Sequence, residues 1–317
     1  MSFYGGILLK KCMQTNTCIT SYEDIAEQAF GWKGRIMVWI MVNLELYLTA
    51  IGLLIMEGDN LHKLFPNFAL KFGQITIGGR LLFVIITIFV ILPSLLSTDL
   101  DTVSYITAVG LFSIIIIIAS LLFVGSASGV WFHGKGKLLS VGGIPTSIAL
   151  YVSCFGGHPV IPTVYMSMQD TGQFTKAMLV SFFFNTIVYL SMAIVGYLMY
   201  GNNVDSPITL NLPTEEISSK VAIYTTLVIP VTRYALLVSP VANAIESGPL
   251  HCYRNTRRIR FLIRISILVS TTMVACAFPY FEFLMVVVGS TLVVFASFLL
   301  PCCCYLKISR GYQISRS

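Results

Sequence analysis

The chain has 317 residues, of which 56% are apolar and only 11% charged, with a formal net charge of +6. An ordinary soluble domain carries roughly 25% charged residues, so the composition excludes that class and points to a polytopic membrane protein. The positive balance does not identify a nucleic-acid partner, because the basic stretch from Tyr253 to Arg264 reads more simply as a cytosolic loop between two spans.

Residues 1–33 read as a cytosolic segment carrying the stump of a transmembrane helix. Phe3 to Leu9 is apolar and ends at Lys10 and Lys11, like the last turns of a helix reaching the cytosolic surface, yet it is too short to cross a bilayer alone. Ser21 followed by Asp24, with apolar positions running up to Gly31, predicts a short capped helix at the cytosolic interface. Met1 to Leu9 is also too short to supply the apolar region of a secretory signal behind a basic start.

Eight apolar runs follow, near 34–56, 81–97, 103–124, 144–166, 177–200, 221–245, 261–280 and 282–306. Each is close to the roughly 20 residues a helix needs to cross a bilayer. They define a transmembrane domain over 34–306, with 307–317 as a cytosolic tail. Lys10, Lys11, Lys33, Arg35, Lys176, Arg254, Arg257, Arg258, Arg260, Lys307, Arg310 and Arg316 fall on one side. Lys63, Lys71, Arg80, Lys135, Lys137 and Lys220 fall on the other. This bias, with an even number of spans, predicts that both termini are cytosolic. Arg233 and Arg264 lie inside or at the edge of spans.

The first complete span carries Asn43 and Glu45 near its centre. An unpaired carboxylate at that depth costs several kcal/mol, so Glu45 is either a functional group or one bonded to a neighbouring helix. Met56 to Leu61, followed by Leu64-Phe65-Pro66-Asn67, reads as a turn-rich stretch on the non-cytosolic side, and Asp99 and Asp101 as a short cytosolic turn after Pro93.

The fourth run is broken in its middle by Cys154-Phe155-Gly156-Gly157-His158-Pro159, with Pro162 just beyond. Adjacent glycines weaken a helix, each proline removes a donor, and His158 is ionisable near mid-bilayer. Unwound backbone at membrane depth survives only where it lines a cavity or is buried in protein. Solute carriers use such breaks to grip a small charged solute with free carbonyls and half-helix ends. In the sixth run, Pro230 to Tyr234 places a proline and a cation about halfway along. Arg233 pairs with a solute carboxylate or with Glu45, or else snorkels to an interface.

Eight cysteines are present, but Cys154 and Cys276 lie within spans and Cys302-Cys303-Cys304 at the end of the last, so reduced thiols are expected. Packing is the simpler role for the triplet, with palmitoylation as the alternative. No zinc spacing surrounds His62, His133, His158 or His251, and no metal or cofactor is expected.

Tyr151-Val152-Ser153-Cys154-Phe155-Gly156-Gly157-His158-Pro159-Val160-Ile161-Pro162-Thr163-Val164-Tyr165 resembles the signature of the amino acid/auxin permease superfamily. Tyr22 to Gly31, Leu44 to Tyr47, Leu54 to Leu61, Gly196 to Gly201 and Ile208 to Pro213 look like its plant and fungal vacuolar amino acid transporter branch. The resemblance implies an all-α, LeuT-like bundle of eleven spans, the first ten forming two inverted five-helix repeats, with substrate between discontinuous first and sixth helices. The broken span corresponds to the sixth. On that scheme the inverted repeat here is partial, and the chain looks truncated at both ends. It would lack the family's first, most of its second and its eleventh helix. The branch pattern Ser-Gly-His-Ala-Val-Phe-Pro-Asn is matched here by Gly156 to Thr163, so a hydroxyl at 156 and a side-chain amide at 163 are lost and Pro159 stiffens the segment.

The implied function is secondary transport of amino acids driven by protons across the vacuolar membrane, with another endomembrane or the plasma membrane as alternatives. Cys154, Phe155, Gly156, Gly157, His158 and Pro159 would form the substrate wall, and His158 or Glu45 the titrating group, although a histidine beside a break also serves as a structural hydrogen-bond donor. A second reading is a transport-incompetent membrane protein that associates with a full carrier chain. A membrane enzyme would need a constellation of nucleophile, base or metal ligands, and the sequence offers none.

Overall fold

The computed structural model describes residues 1–16, 18–72, 75–96, 100–127, 141–201, 204–214, 216–247 and 257–314. Asp99, His133, Lys135, Lys137, Glu215, His251, Arg254 and Arg316 lie outside the described residues.

Among the described residues the regular structure is helical apart from one small ribbon. Its elements are α1 (Ser2–Thr15), α2 (Tyr22–Phe30), α3 (Trp32–Leu64), β1 (Ala69–Phe72), β2 (Ile75–Gly78), α4 (Gly79–Leu96), α5 (Leu100–Ala127), α6 (Ile144–Ser153), α7 (Ile161–Ser167), α8 (Phe174–Tyr200), α9 (Ile217–Thr226), α10 (Val228–Ser247), α11 (Arg257–Ala277), α12 (Phe281–Val287) and α13 (Leu300–Ile314). The two strands pair antiparallel, Ala69 opposite Gly78 and Phe72 opposite Ile75. Among the described residues, seven helical stretches are long and apolar enough to cross a membrane, and Gly79–Pro93 is a shorter apolar helix. Helix occupies most of each of the eight apolar runs. Large side chains such as Phe112 (67% exposed), Phe183 (66%) and Met273 (68%) face outward, as lipid-facing positions do.

The helical starts and stops follow local chemistry. At α2, the Ser21 hydroxyl accepts from the Asp24 amide at 3.2 Å, and the Asp24 carboxylate accepts from the Ser21 amide at 3.0 Å. This is the capping box the sequence predicts. Gly31 ends the helix at φ 72°, a left-handed conformation that favours glycine, and its amide donates to the Glu27 carbonyl at 2.7 Å.

Between α9 and α10 the helix is interrupted at Leu227. Pro230 has no N–H for the Thr226 carbonyl, and its ring crowds that oxygen. The sequence reading treats 221–245 as one run and notes the proline without the break.

Met56 to Leu61 proves helical, not turn-rich, because α3 continues to Leu64. Three of its polar side chains find tertiary partners. Asp59 pairs with Arg80 at 2.6 Å, Asn60 accepts from the Thr209 hydroxyl at 2.6 Å, and Lys63 donates to the Leu210 carbonyl. These bonds remove the penalty that a turn would otherwise relieve.

The chain divides into two compact units. The first comprises Met1–Glu45, Val141–Tyr189 and Met285–Ser317. Its core joins Leu8, Leu9 and Cys12 of α1, Tyr22, Ile25 and Ala26 of α2, and Leu300 and Cys304 of α13, all buried. The second comprises Leu46–Ser140 and Leu190–Leu284. There α5 packs along α9, burying Ile117, Leu121, Val124, Ala222 and Ile223 with Val195, Met199 and Leu212. Arg264, left by the sequence at the edge of a span, is buried and donates to the Leu95 carbonyl at 2.6 Å.

Candidate functional site

The broken helix belongs wholly to the first unit. The first half, α6, ends where Cys154, Phe155 and Gly156 donate their amides to the carbonyls of Leu150, Val152 and Ser153 at 3.3, 3.0 and 3.3 Å. The i−3 bonds tighten the final turn. A single turn over His158–Val160 follows, and α7 resumes at Ile161. Pro159 and Pro162 fall in the first turns of these elements, where a missing N–H costs nothing. Cys154, Gly156 and Gly157 are exposed, Phe155 and Pro159 half-buried, and His158 buried.

His158 Nε2 lies 2.8 Å from the Ser2 carbonyl. That carbonyl can only accept, so the ring donates from Nε2 and ties the break to α1. Of the two roles open to His158 in the sequence, this geometry supports the structural one.

Glu45, half-way down α3, is 5% exposed and reaches the break. A Cβ on Gly156 would lie 3.0 Å from Glu45 Oε1, 3.0 Å from Val293 Cγ2 and 3.4 Å from the Ser153 carbonyl oxygen. The fold thus brings together two features that the sequence shows more than a hundred residues apart. Arg233 belongs to the second unit, where it is exposed on α10. Its pairing with Glu45 stays an expectation.

Val293 lies in a wide stretch of the last helix. Val288–Val293 and Phe295–Leu299 wind as π-helix, a form frequent at functional sites. Gly289 in this stretch presses on α6, for a Cβ there would lie 2.0 Å from the Ala149 carbonyl oxygen. Ala296 accepts the Tyr22 hydroxyl at 2.5 Å.

Phe155 packs among aromatic rings. It stacks on Phe182 at 6.1 Å and meets Tyr151 and Tyr189 edge-on at 5.1 and 5.6 Å. Beside it is a cavity of about 550 Å³ lined by Met1, Ser2, Phe3, Tyr151, Val152, Phe155, Leu179, Phe182, Phe183, Thr186 and Phe298. Its volume is that of a small-molecule site and its wall is mostly apolar. No cluster of three or more His, Cys, Asp or Glu side chains able to hold a metal occurs among the described residues.

A discontinuous membrane helix is an arrangement found in solute carriers, and comparison with known proteins agrees. The family profile of the transmembrane amino acid transporter proteins matches residues 1–315. The chain belongs to this family. Amino acid transporter AVT1I of Arabidopsis thaliana is 44% identical over 312 residues, covering 98% of this chain and 77% of the relative. Amino acid transporter AVT1J of the same plant is 44% identical over 98% of this chain and 74% of its own length. Amino acid transporter AVT1B is 37% identical over 98% of this chain and 57% of its own length. The resemblance drawn from the signature around Gly156 therefore holds, and family membership supports transport of amino acids as the activity.

Sequence reasoning named the break and Glu45 but missed Gly289, Val293 and the aromatic cage of Phe155. A glycine inside the long apolar run 282–306 was the one available signal for the first. Nothing in the sequence announces the π turns.

Proposed function

We propose that the chain is a proton-coupled secondary transporter that moves amino acids across the vacuolar membrane, with both termini cytosolic. The observation that carries this reading is the buried Glu45 carboxyl set against the exposed, unwound backbone at Gly156. Cys154, Phe155, Gly156, Gly157 and Pro159 form one wall of the substrate site, where backbone dipoles serve the ammonium and carboxylate groups that every amino acid presents. His158 holds that wall in place through Ser2. The titrating role falls to Glu45, because the His158 ring already donates within the fold. The apolar cavity beside Phe155 supplies volume for a substrate side chain.

The test is uptake of radiolabelled amino acids into proteoliposomes containing the purified chain under an imposed pH gradient. Uptake that collapses with a protonophore supports the reading. Absence of flux for every amino acid would sink it and favour association with a full-length carrier. A fluorescent fusion reporting from the plasma membrane would overturn the vacuolar assignment alone.

A further inference from the structure

The last span ends on three consecutive cysteines, and the fold separates them. Cys304 is buried on α13 together with Leu300 and Ile308, four residues to either side, and joins the core of the first unit. Packing accounts for that thiol. Cys302 and Cys303 are exposed and in no disulfide, so packing accounts for neither. Each lies three or four residues from both Leu299 (53% exposed) and Leu306 (59% exposed), the spacing that sets side chains on one helix face. The four make an open apolar stripe on a helix apolar enough to cross a membrane, and such a stripe faces lipid.

Two lysine contacts fix the depth of this stripe. Lys307 lies over the Phe30 ring at 4.9 Å, and Lys11 lies over the Tyr305 ring at 5.6 Å. Lysines and aromatic rings in this arrangement anchor a helix end at the headgroup level. Cys303 precedes Lys307 by four residues, which is roughly 6 Å along the helix axis. Its thiol, with that of Cys302 beside it, therefore lies one turn inside the headgroup layer and open to the acyl chains. Juxtamembrane thiols of this kind are the ones that accept fatty acyl groups.

We propose that Cys302 and Cys303 are an S-acylation site for a long-chain fatty acyl group, and that burial keeps Cys304 out of it. The acyl donor is a long-chain acyl-coenzyme A. The cysteine sulfur attacks its carbonyl carbon, a new carbon–sulfur bond forms, and the bond from that carbon to the coenzyme's sulfur breaks. The coenzyme leaves as its thiol, with the proton that the cysteine gives up, so one thioester replaces another and nothing is oxidised or reduced. The chain so attached lies along the Leu299 side of the stripe, parallel to neighbouring lipid. The inference rests on the reading that both termini are cytosolic, because acyl-coenzyme A is a cytosolic donor.

The experiment is thioester capture on the full chain expressed in plant cells. Free thiols are blocked with N-ethylmaleimide, thioesters are cleaved with neutral hydroxylamine, and the thiols so released are tagged and located by peptide mass spectrometry. Wild type should give a hydroxylamine-dependent tag at Cys302, Cys303 or both. The double variant Cys302→Ser with Cys303→Ser should lose it, as should the Ala pair, while Cys304→Ala and Cys18→Ser should keep it. No hydroxylamine-dependent tag in wild type overturns the inference, and so does a tag that survives in both double variants. A tag found on Cys304 in wild type overturns it as well, and this reading needs no variant to fold. Cys18, an exposed thiol beyond Lys10 and Lys11, reports the placement of the termini separately. A membrane-impermeant maleimide should reach it once digitonin opens the plasma membrane, and not in intact cells. Labelling in intact cells, or only after full detergent lysis, overturns the cytosolic placement and the inference with it. Labelling as expected with no thioester overturns the inference alone.

Discussion

Gly289 is the tightest contact in the candidate site, and replacing it tests whether α6 is seated as described. An alanine there would bring its Cβ to 2.0 Å from the Ala149 carbonyl oxygen, 3.0 Å from the Ala149 carbonyl carbon and 2.9 Å from Ser153 Cβ. Two of these three atoms are backbone, so no rotamer change relieves the clash. Restoring ordinary contact at 3.4 Å requires α6 or the π-helical segment to retreat by about 1.4 Å. Overpacking of this kind costs about 1–3 kcal/mol, and close approach through a small residue is the means by which membrane helices pack. At about 2–4 °C per kcal/mol, Gly289→Ala should lower the melting temperature in detergent by about 3 °C or more. Since α6 carries Ser153 and leads into Gly156, amino acid binding should weaken too. Gly142→Ala is the matched control in the same unit, because a Cβ at Gly142 meets nothing within 4 Å. That variant should stay within about 0.5 kcal/mol of wild type. Gly289→Ala melting with Gly142→Ala and wild type would refute the contact and the placement of α6.

Three further outcomes follow from the first unit. Burial would raise the Asp24 carboxyl, but hydrogen bonds from Thr20 and Ser21 outweigh it and hold the group below the usual carboxylate range. The ionised form is therefore the one folding favours. Its contribution to α2 is complete above the ordinary aspartate value near about 3.9 and is lost as pH falls below it through the lowered folded value. Hydrogen exchange of the Tyr22–Phe30 amides should accelerate relative to neighbouring helices in that acid window, and Asp24→Asn should abolish the dependence. Tyr22→Phe leaves the Ala296 carbonyl without its 2.5 Å donor and should cost about 1–2 kcal/mol in detergent unfolding; an unchanged melting point would contradict the bond. His158→Gln should lower stability through its bond to Ser2 while leaving the pH midpoint of uptake in place. A displaced midpoint would instead return the titrating role to His158.

The helix α2 shows how local chemistry can be legible in a sequence. Ser21, Asp24 and Gly31 act within ten residues of one another, and the expected capping box is present bond for bond. The break at Gly156 is legible for the same reason, since adjacent glycines and nearby prolines destabilise a helix wherever it packs. Position 227 is harder, because Pro230 permits either a kink or a stop. The stretch from Met56 to Leu61 misled because Asp59 and Asn60 look like a turn until Arg80 and Thr209, from other elements, satisfy them.

Hydropathy, charge bias and the Gly156-Gly157-His158-Pro159 motif by themselves determined a helical membrane protein, the position of its broken span and its family. These depend on composition and near neighbours along the chain. Only the tertiary structure decided that Glu45 meets Gly156, that Gly289 and Val293 of a π-wound helix form the facing surface, and that His158 is held by Ser2. Those contacts join residues far apart in sequence. Their distances depend on how helices seat side by side, where one methyl group is enough to change the fit.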